Sequence, residues 1–173
     1  MTPSATRKDD RRRGRDWDEG RAVRYLLSLL ARRDYARAEL HGRLARKGVP
    51  AGVAEAALAR LAELDLLDDG RVAEAFVRAH AHRKGRRALE RDMARRGVAE
   101  EARAAALAPL DDAQQNEAAT AVLRKHAWRF ASGDRRKDRA KAAGFLTRRG
   151  FDGDVVQRAV EAALPPDADD DPP

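Results

Sequence analysis

Three short segments of the sequence repeat one chemistry: two cationic residues, a glycine and an apolar residue. They read Arg46-Lys47-Gly48-Val49, Arg95-Arg96-Gly97-Val98 and Arg148-Arg149-Gly150-Phe151. Paired cations can hold a carboxylate or a phosphate. They can equally complement the negative end of a helix dipole, an effect of roughly 0.3–1 kcal/mol. Both readings stay open for each pair. Set at matching positions of stacked units, the pairs would form a periodic basic track, which suits a nucleic acid or a protein filament. The glycine has its own reason. A helix often stops at a residue in the left-handed conformation, where glycine avoids a Cβ clash. With Gly48, Gly97 and Gly150 as structural helix stops, Leu44 and Val49, Met93 and Val98, and Leu146 and Phe151 fall at the two positions that touch in a Schellman cap.

Other chemistry is sparse. There is no Gly-rich phosphate loop and no glycine-framed serine nucleophile. The histidines are His41, His80, His82 and His126. His80 and His82 lie two apart, so on a helix they point to different sides. His126 falls on the apolar face of its helix and reads as a partly buried core residue. The pairs Asp68-Asp69 and Asp111-Asp112 resemble metal carboxylates, but each opens a helix, and capping accounts for them. The chain has no cysteine, which excludes disulfides and thiolate metal sites. Neither a catalytic site nor a cofactor nor a metal is expected. Among the aromatics, Tyr25 and Tyr35 border the first apolar face and suit core packing. Trp128 is a further ring that could stack on bases. Trp17, in a basic arm, is the one free to act as a stacking anchor.

The elements that must position these residues are helices. Alanine, arginine, leucine and glutamate dominate, and all are strong helix formers. Val23, Leu26, Leu27 and Leu30 make the stripe of an amphipathic helix. Asp34 is placed to cap the next, which carries Ala36, Leu40 and Leu44 to Gly48. A third helix begins near Pro50 and presents Val53, Ala57, Leu61 and Leu64. The pattern recurs with Val72, Ala75, Phe76 and Ala79, then Leu89 and Met93, then Ala102, Ala106 and Leu110. It recurs again as a longer helix with Ala119, Val122, Leu123 and Phe130, then Ala142, Phe145 and Leu146, then Val155, Val156, Ala159 and Val160. The three glycines stand roughly 50 residues apart, the sign of an internal repeat. The expected organisation is all-α: a disordered basic arm (1–18), three three-helix repeats (19–67, 68–111 and 112–164) and a disordered acidic tail (165–173).

Charged residues make up 38% of the chain and the net charge is +7. A basic body points to a polyanionic partner or an acidic protein surface. Arginine outnumbers lysine, which fits bidentate anion contacts but also a GC-rich coding bias. No apolar run approaches a membrane span, and the N-terminus lacks the apolar stretch of a secretory signal. A soluble, cytoplasmic protein with no membrane partner is expected.

The stretch from Tyr25 through LLSLLARRDYARAELHGRLARKGV to Val49 resembles the start of the bacterial RecX family. So does the stretch from Leu64 through DLLDDGRVAEAFV to Val77. Glu39-Leu40, Lys47-Gly48, Phe145-Leu146 and Arg149-Gly150-Phe151 belong to the same likeness, which covers roughly residues 20–164. Two positions depart from it: Ala36 stands where a serine or threonine is common, and Lys84-Gly85-Arg86-Arg87 replaces a Gly-Pro type of turn. The resemblance implies tandem three-helix repeats in an elongated, curved body, acting as a monomer. It implies a non-enzymatic regulator that lies in the groove of the RecA filament. Such a regulator modulates, mostly negatively, recombinase, ATPase and co-protease activities in DNA repair, recombination and the SOS response. Basic residues would meet acidic filament surface or phosphate. The candidates are Arg32, Arg33, Arg43, Arg46 and Lys47 in the first repeat. In the second they are Arg86, Arg87, Arg91, Arg95 and Arg96. In the third they are Arg135, Arg136, Arg139, Arg148 and Arg149. Direct contact with single- or double-stranded DNA is also open. The alternative is a stand-alone DNA-binding protein that uses its repeats like helix-turn-helix modules.

Overall fold

The computed structural model describes residues 17–164. The acidic tail, and the basic arm up to residue 16, lie outside these bounds. Among the described residues there are nine α-helices, one 3-10 turn and no strand. The chain divides into two compact units, one running to Val72 and including Arg96–Ala99, the other holding Ala73–Arg95 and the residues from Glu100 onward.

The first unit contains α1 (Glu19–Leu30), α2 (Arg37–Arg46), α3 (Ala51–Glu63) and the start of α4 (Asp69–His80). Asp18 caps α1 by accepting the Arg21 N–H at 2.6 Å, so this helix cap falls within the stretch expected as a disordered arm. The buried stripe of α1 is Ala22, Leu26 and Leu29, while Leu27 is exposed. The stripe is therefore rotated from the one expected through Leu27 and Leu30. Leu40 and Leu44 of α2 and Ala54, Ala57, Leu58 and Leu61 of α3 complete this core.

Asp34 does not cap α2. Its carboxylate accepts from Arg71 Nε at 3.3 Å. The residue before α2 is Ala36, fully buried and without a side-chain acceptor. The missing acceptor comes from α4. Asp69 Oδ1 accepts the Arg37 N–H at 3.1 Å, and its Oδ2 accepts the Ala99 N–H at 2.8 Å. One carboxylate thus serves the N-terminal ends of two helices, α2 and α6 (Glu100–Leu107). This solves the problem Ala36 creates, because a buried cap position accepts a small apolar side chain when the N–H is satisfied from elsewhere. Asp69→Ala is expected to destabilise the chain by about 2 kcal/mol in urea denaturation. Asp34→Ala, which removes an exposed ion pair, is expected to cost under about 0.5 kcal/mol.

The second unit holds most of α4, then α5 (Arg86–Arg95), α6, α7 (Asp112–Lys125), a 3-10 turn (Ala127–Phe130), α8 (Arg135–Arg148) and α9 (Gly153–Ala163). Asp111 caps α7 through the Gln114 N–H at 2.7 Å, and Asp134 caps α8 through the Lys137 N–H at 3.0 Å. Phe130 does not continue α7 as expected. That helix ends at Lys125, and the tighter 3-10 turn carries Phe130 into the core, edge-on to Phe145 at 5.5 Å. Buried Asp138 fixes the next link by accepting both the N–H and the hydroxyl of Ser132 at 2.8 Å.

All three stop glycines have positive φ: 73° at Gly48, 73° at Gly97 and 80° at Gly150. At Gly48 the Val49 N–H reaches the Leu44 carbonyl and the Gly48 N–H the Ala45 carbonyl, the two bonds of a Schellman cap. The turn at Gly150 repeats this with Phe151 to Leu146 and Gly150 to Thr147. What differs is what each glycine touches. A Cβ at Gly48 would meet open space, whereas one at Gly97 would lie 2.5 Å from Ala38 Cβ. One at Gly150 would lie 2.8 Å from Ala88 Cα and 2.6 Å from its Cβ. The Gly85 N–H donates to the Arg149 carbonyl at 2.9 Å and the Arg87 N–H to the Gly150 carbonyl at 3.1 Å. The last two glycine turns are therefore seated against the start of a middle helix, Gly97 on α2 and Gly150 on α5.

Candidate anion-binding surface

The fifteen cationic candidates fall into distinct environments. In the first unit Arg33 stacks on Tyr35 at 3.6 Å and pairs with Glu39 at 2.8 Å. That hydrogen bond to Glu39 raises its pKa above the ordinary guanidinium value despite partial burial. Arg43 covers the same tyrosine at 4.9 Å. Arg32, Arg46 and Lys47 are exposed, with Lys47 5.9 Å from the Tyr25 ring.

In the second unit Arg86 is committed inside the fold. Its guanidinium donates to the carbonyls of Leu107, at 2.8 Å, and Leu110, and its N–H to Gln115 Oε1 at 2.9 Å. Arg139 similarly donates to the Leu164 carbonyl. Both are half-buried, so burial turns these two guanidinium groups toward backbone oxygens that need donors. Arg87 pairs with Asp152 at 2.5 Å, and Arg95 pairs with Asp92. Arg91, Arg96, Arg135, Arg136 and Arg148 are exposed.

Arg149 is different. It is half-buried, with its guanidinium 3.7 Å from the centre of the Phe145 ring. Burial, and then the nearby charges of Arg129 and Arg148, push its pKa below the ordinary guanidinium value. No carboxylate pairs with it among the described residues. It lines a cleft of about 660 Å³ together with His82, Arg83, Lys84, Ala121, Val122, Lys125 and His126. Six of those eight side chains are basic and none is acidic. Arg83 and Lys125 are exposed and also lack a carboxylate partner among the described residues. Lys84 is held by Asp92 at 2.5 Å. Burial raises the Asp92 carboxyl, but the Lys84 hydrogen bond and the charges of Lys84, Arg95 and Arg91 outweigh it and hold the group below the usual carboxylate range. His126 Nδ1 bonds the Val122 carbonyl at 2.8 Å, and its ring lies 5.1 Å from Phe145.

The cleft thus uses one residue from the sequence candidates, Arg149, and several that helix periodicity did not single out. Trp128 is among the neighbours. It is 77% exposed and two residues past His126, with the Arg129 guanidinium 5.7 Å from its ring and 5.0 Å from that of Phe145. Trp17, the expected free aromatic, instead packs edge-on to Tyr25 at 6.0 Å with Arg21 above it at 4.6 Å. The adjacent Trp128-Arg129 was the available signal, but exposure cannot be read from a helical pattern. Among the described residues no group of histidine, aspartate and glutamate is arranged to hold a metal, and no helix is long and apolar enough to cross a membrane.

Residues 22–61 match the first three-helix domain of RecX, residues 68–107 the second and residues 112–160 the third. The chain is 40% identical over 149 residues to the regulatory protein RecX of Halorhodospira halophila, covering 84% of this chain and 88% of that one. It is 42% identical over 142 residues to the RecX of Thermus thermophilus, covering 82% and 92%. The chain belongs to the RecX family. Its fold is that of solved RecX structures: the crystal structure of RecX from Lactobacillus salivarius superposes with a TM-score of 0.76 at 22% identity, over 84% of this chain and 96% of that one. In RecX terms, the cleft takes His82, Arg83 and Lys84 from the second domain and the remainder from the third.

Proposed function

We propose that this chain regulates the RecA recombinase filament, binding it and reducing its ATPase, recombinase and co-protease activities. The observation that carries the reading is the succession of three RecX three-helix domains in a chain whose relatives are named regulatory protein RecX. The role is regulatory rather than catalytic and is exerted in the cytoplasm. The net charge of +7 supports a partner that presents phosphate or carboxylate. Exposed cations at the helix stops, including Arg46, Lys47, Arg96 and Arg148, supply donors for such a surface. Arg86 and Arg139, held by backbone carbonyls, are left out of the contact set.

The test is RecA ATP hydrolysis on single-stranded DNA with and without the purified chain. The rate is expected to fall severalfold as the chain is added. Salt-sensitive binding to naked DNA with RecA hydrolysis untouched would remove RecA from the account and leave a DNA-binding protein.

A further inference from the structure

Cations that lie close together without acids repel one another, and a fold keeps them together at a cost unless something anionic arrives. The paired cations of the second unit show the ordinary solution: Arg87 faces Asp152, and Arg103 faces Glu90 at 2.6 Å. In the cleft around Arg149 only Lys84 has such a partner, Asp92. Arg83, Lys125 and Arg149 converge there with no acidic lining residue, and Arg129 adds its charge from the 3-10 turn. Stacking on Phe145 fixes the plane of the Arg149 guanidinium, which orders the side chain while its N–H edges stay available.

Chemistry next to the cleft decides between an acidic protein segment and a nucleic acid. An acidic segment gains most of its affinity from apolar or aromatic anchors seated in pockets. The cleft offers only Ala121 and Val122 for that purpose. A nucleic acid needs donors for its phosphates and an exposed ring for its bases. Trp128 provides such a ring at 77% exposure, two residues past His126 of the cleft, and Arg129 lies near both its ring and that of Phe145, on which Arg149 stacks. Only an unpaired base presents a face to an exposed indole, so the strand must be single.

We infer that the cleft lined by Arg83, Lys125 and Arg149 binds the phosphates of single-stranded DNA, with one unpaired base stacked on Trp128. The choice of DNA rests on the RecA reading above, while the phosphate and base chemistry rests on the cleft itself. The site works without RecA present, so it tethers the chain to a strand that a filament leaves open.

The experiment uses the full chain and a thymidine oligonucleotide, with no RecA. The chain has two tryptophans, so in Trp17→Phe the fluorescence comes from Trp128 alone. Quenching of that signal on addition of the oligonucleotide is expected. Lys125→Gln with Arg149→Gln should weaken binding by about tenfold or more, and reduce the salt slope by about 1.4. Trp128→Ala should weaken it by roughly tenfold with the salt slope kept. Arg149→Lys, with a melting curve for each variant, separates lost binding from lost folding: retained charge should restore much of the affinity. Three results would overturn the site: no quenching in Trp17→Phe, binding indifferent to the double substitution, or equal displacement by polyglutamate. RecA inhibition without oligonucleotide binding sinks this site and leaves the RecA reading standing. Oligonucleotide binding without RecA inhibition does the reverse.

Discussion

Gly150→Ala is expected to destabilise the chain by about 4 kcal/mol, lowering the melting midpoint by roughly 10 °C. Two costs add. An alanine at φ 80° gives up about 1–2 kcal/mol of backbone energy. Its Cβ would also collide with the backbone of Ala88, where no flexible side chain can move aside. Relief requires the turn to back away from α5 and to weaken the bonds from Gly85 to Arg149 and from Arg87 to Gly150. Each such bond is worth about 1 kcal/mol. Gly48→Ala shares the left-handed backbone but meets open space, so about 1 kcal/mol is expected. Gly97→Ala should fall between them, because its Cβ meets the methyl of Ala38 rather than backbone. Thermal unfolding of the three variants side by side is the measurement. Equal effects would mean that the turns act only as helix stops and that their seating contributes nothing.

Arg86→Ala is expected to cost about 3 kcal/mol of folding stability. The side chain satisfies the Leu107 carbonyl, where α6 ends, and that of Leu110, which precedes α7. Removing it strands both acceptors in a half-buried link. Hydrogen bonds from a charged donor are worth about 1.5–3 kcal/mol each, and part of the loss is recovered by water entering. Arg86→Lys should recover less than half of the loss, since one ammonium does not reproduce a planar fork across two carbonyls. The adjacent Arg87→Ala removes an exposed pair with Asp152 and should cost under about 1 kcal/mol. Urea midpoints for the three variants decide the matter. An Arg86→Ala chain as stable as wild type would return Arg86 to the set of partner contacts.

These two neighbours mark the limit of what the sequence could say. The helices were legible because their apolar spacing and their aspartate caps are local properties, as at Asp68 and Asp111. The Arg71 N–H on Asp68 at 2.9 Å is such a cap. The glycine stops were legible for the same reason, through their flanking apolar pairs. What could not be read depends on residues distant in the chain. Asp69 looks like half of a capping pair, yet it serves Arg37 and Ala99, about thirty residues away in either direction. Arg86 and Arg87 look alike, and only the position of Leu107 and Leu110 tells them apart. Trp17 is not the free aromatic that was expected, because Tyr25 lies within its reach, while Trp128 is left 77% exposed. The basic pairs before each glycine proved unequal as well. Arg95 is neutralised by Asp92, and Arg149 is left without an acid.

The seated glycine turns also bear on how such a chain could lengthen. Residues 68–107 contain both halves of the arrangement, Gly97 to fit a preceding helix start and Gly85 to receive a following turn. Gly48 fits nothing that precedes it. A duplicated copy of the middle segment therefore brings a matching plug and socket in one piece, and a gene that gained it would gain a module without redesigning its neighbours. A duplicated first segment would lack that self-sufficiency, since no contact shapes its turn for a socket. Growth by duplication is thus easiest from the middle of the gene, and designed RecX-like arrays with extra repeats are best built from that cassette.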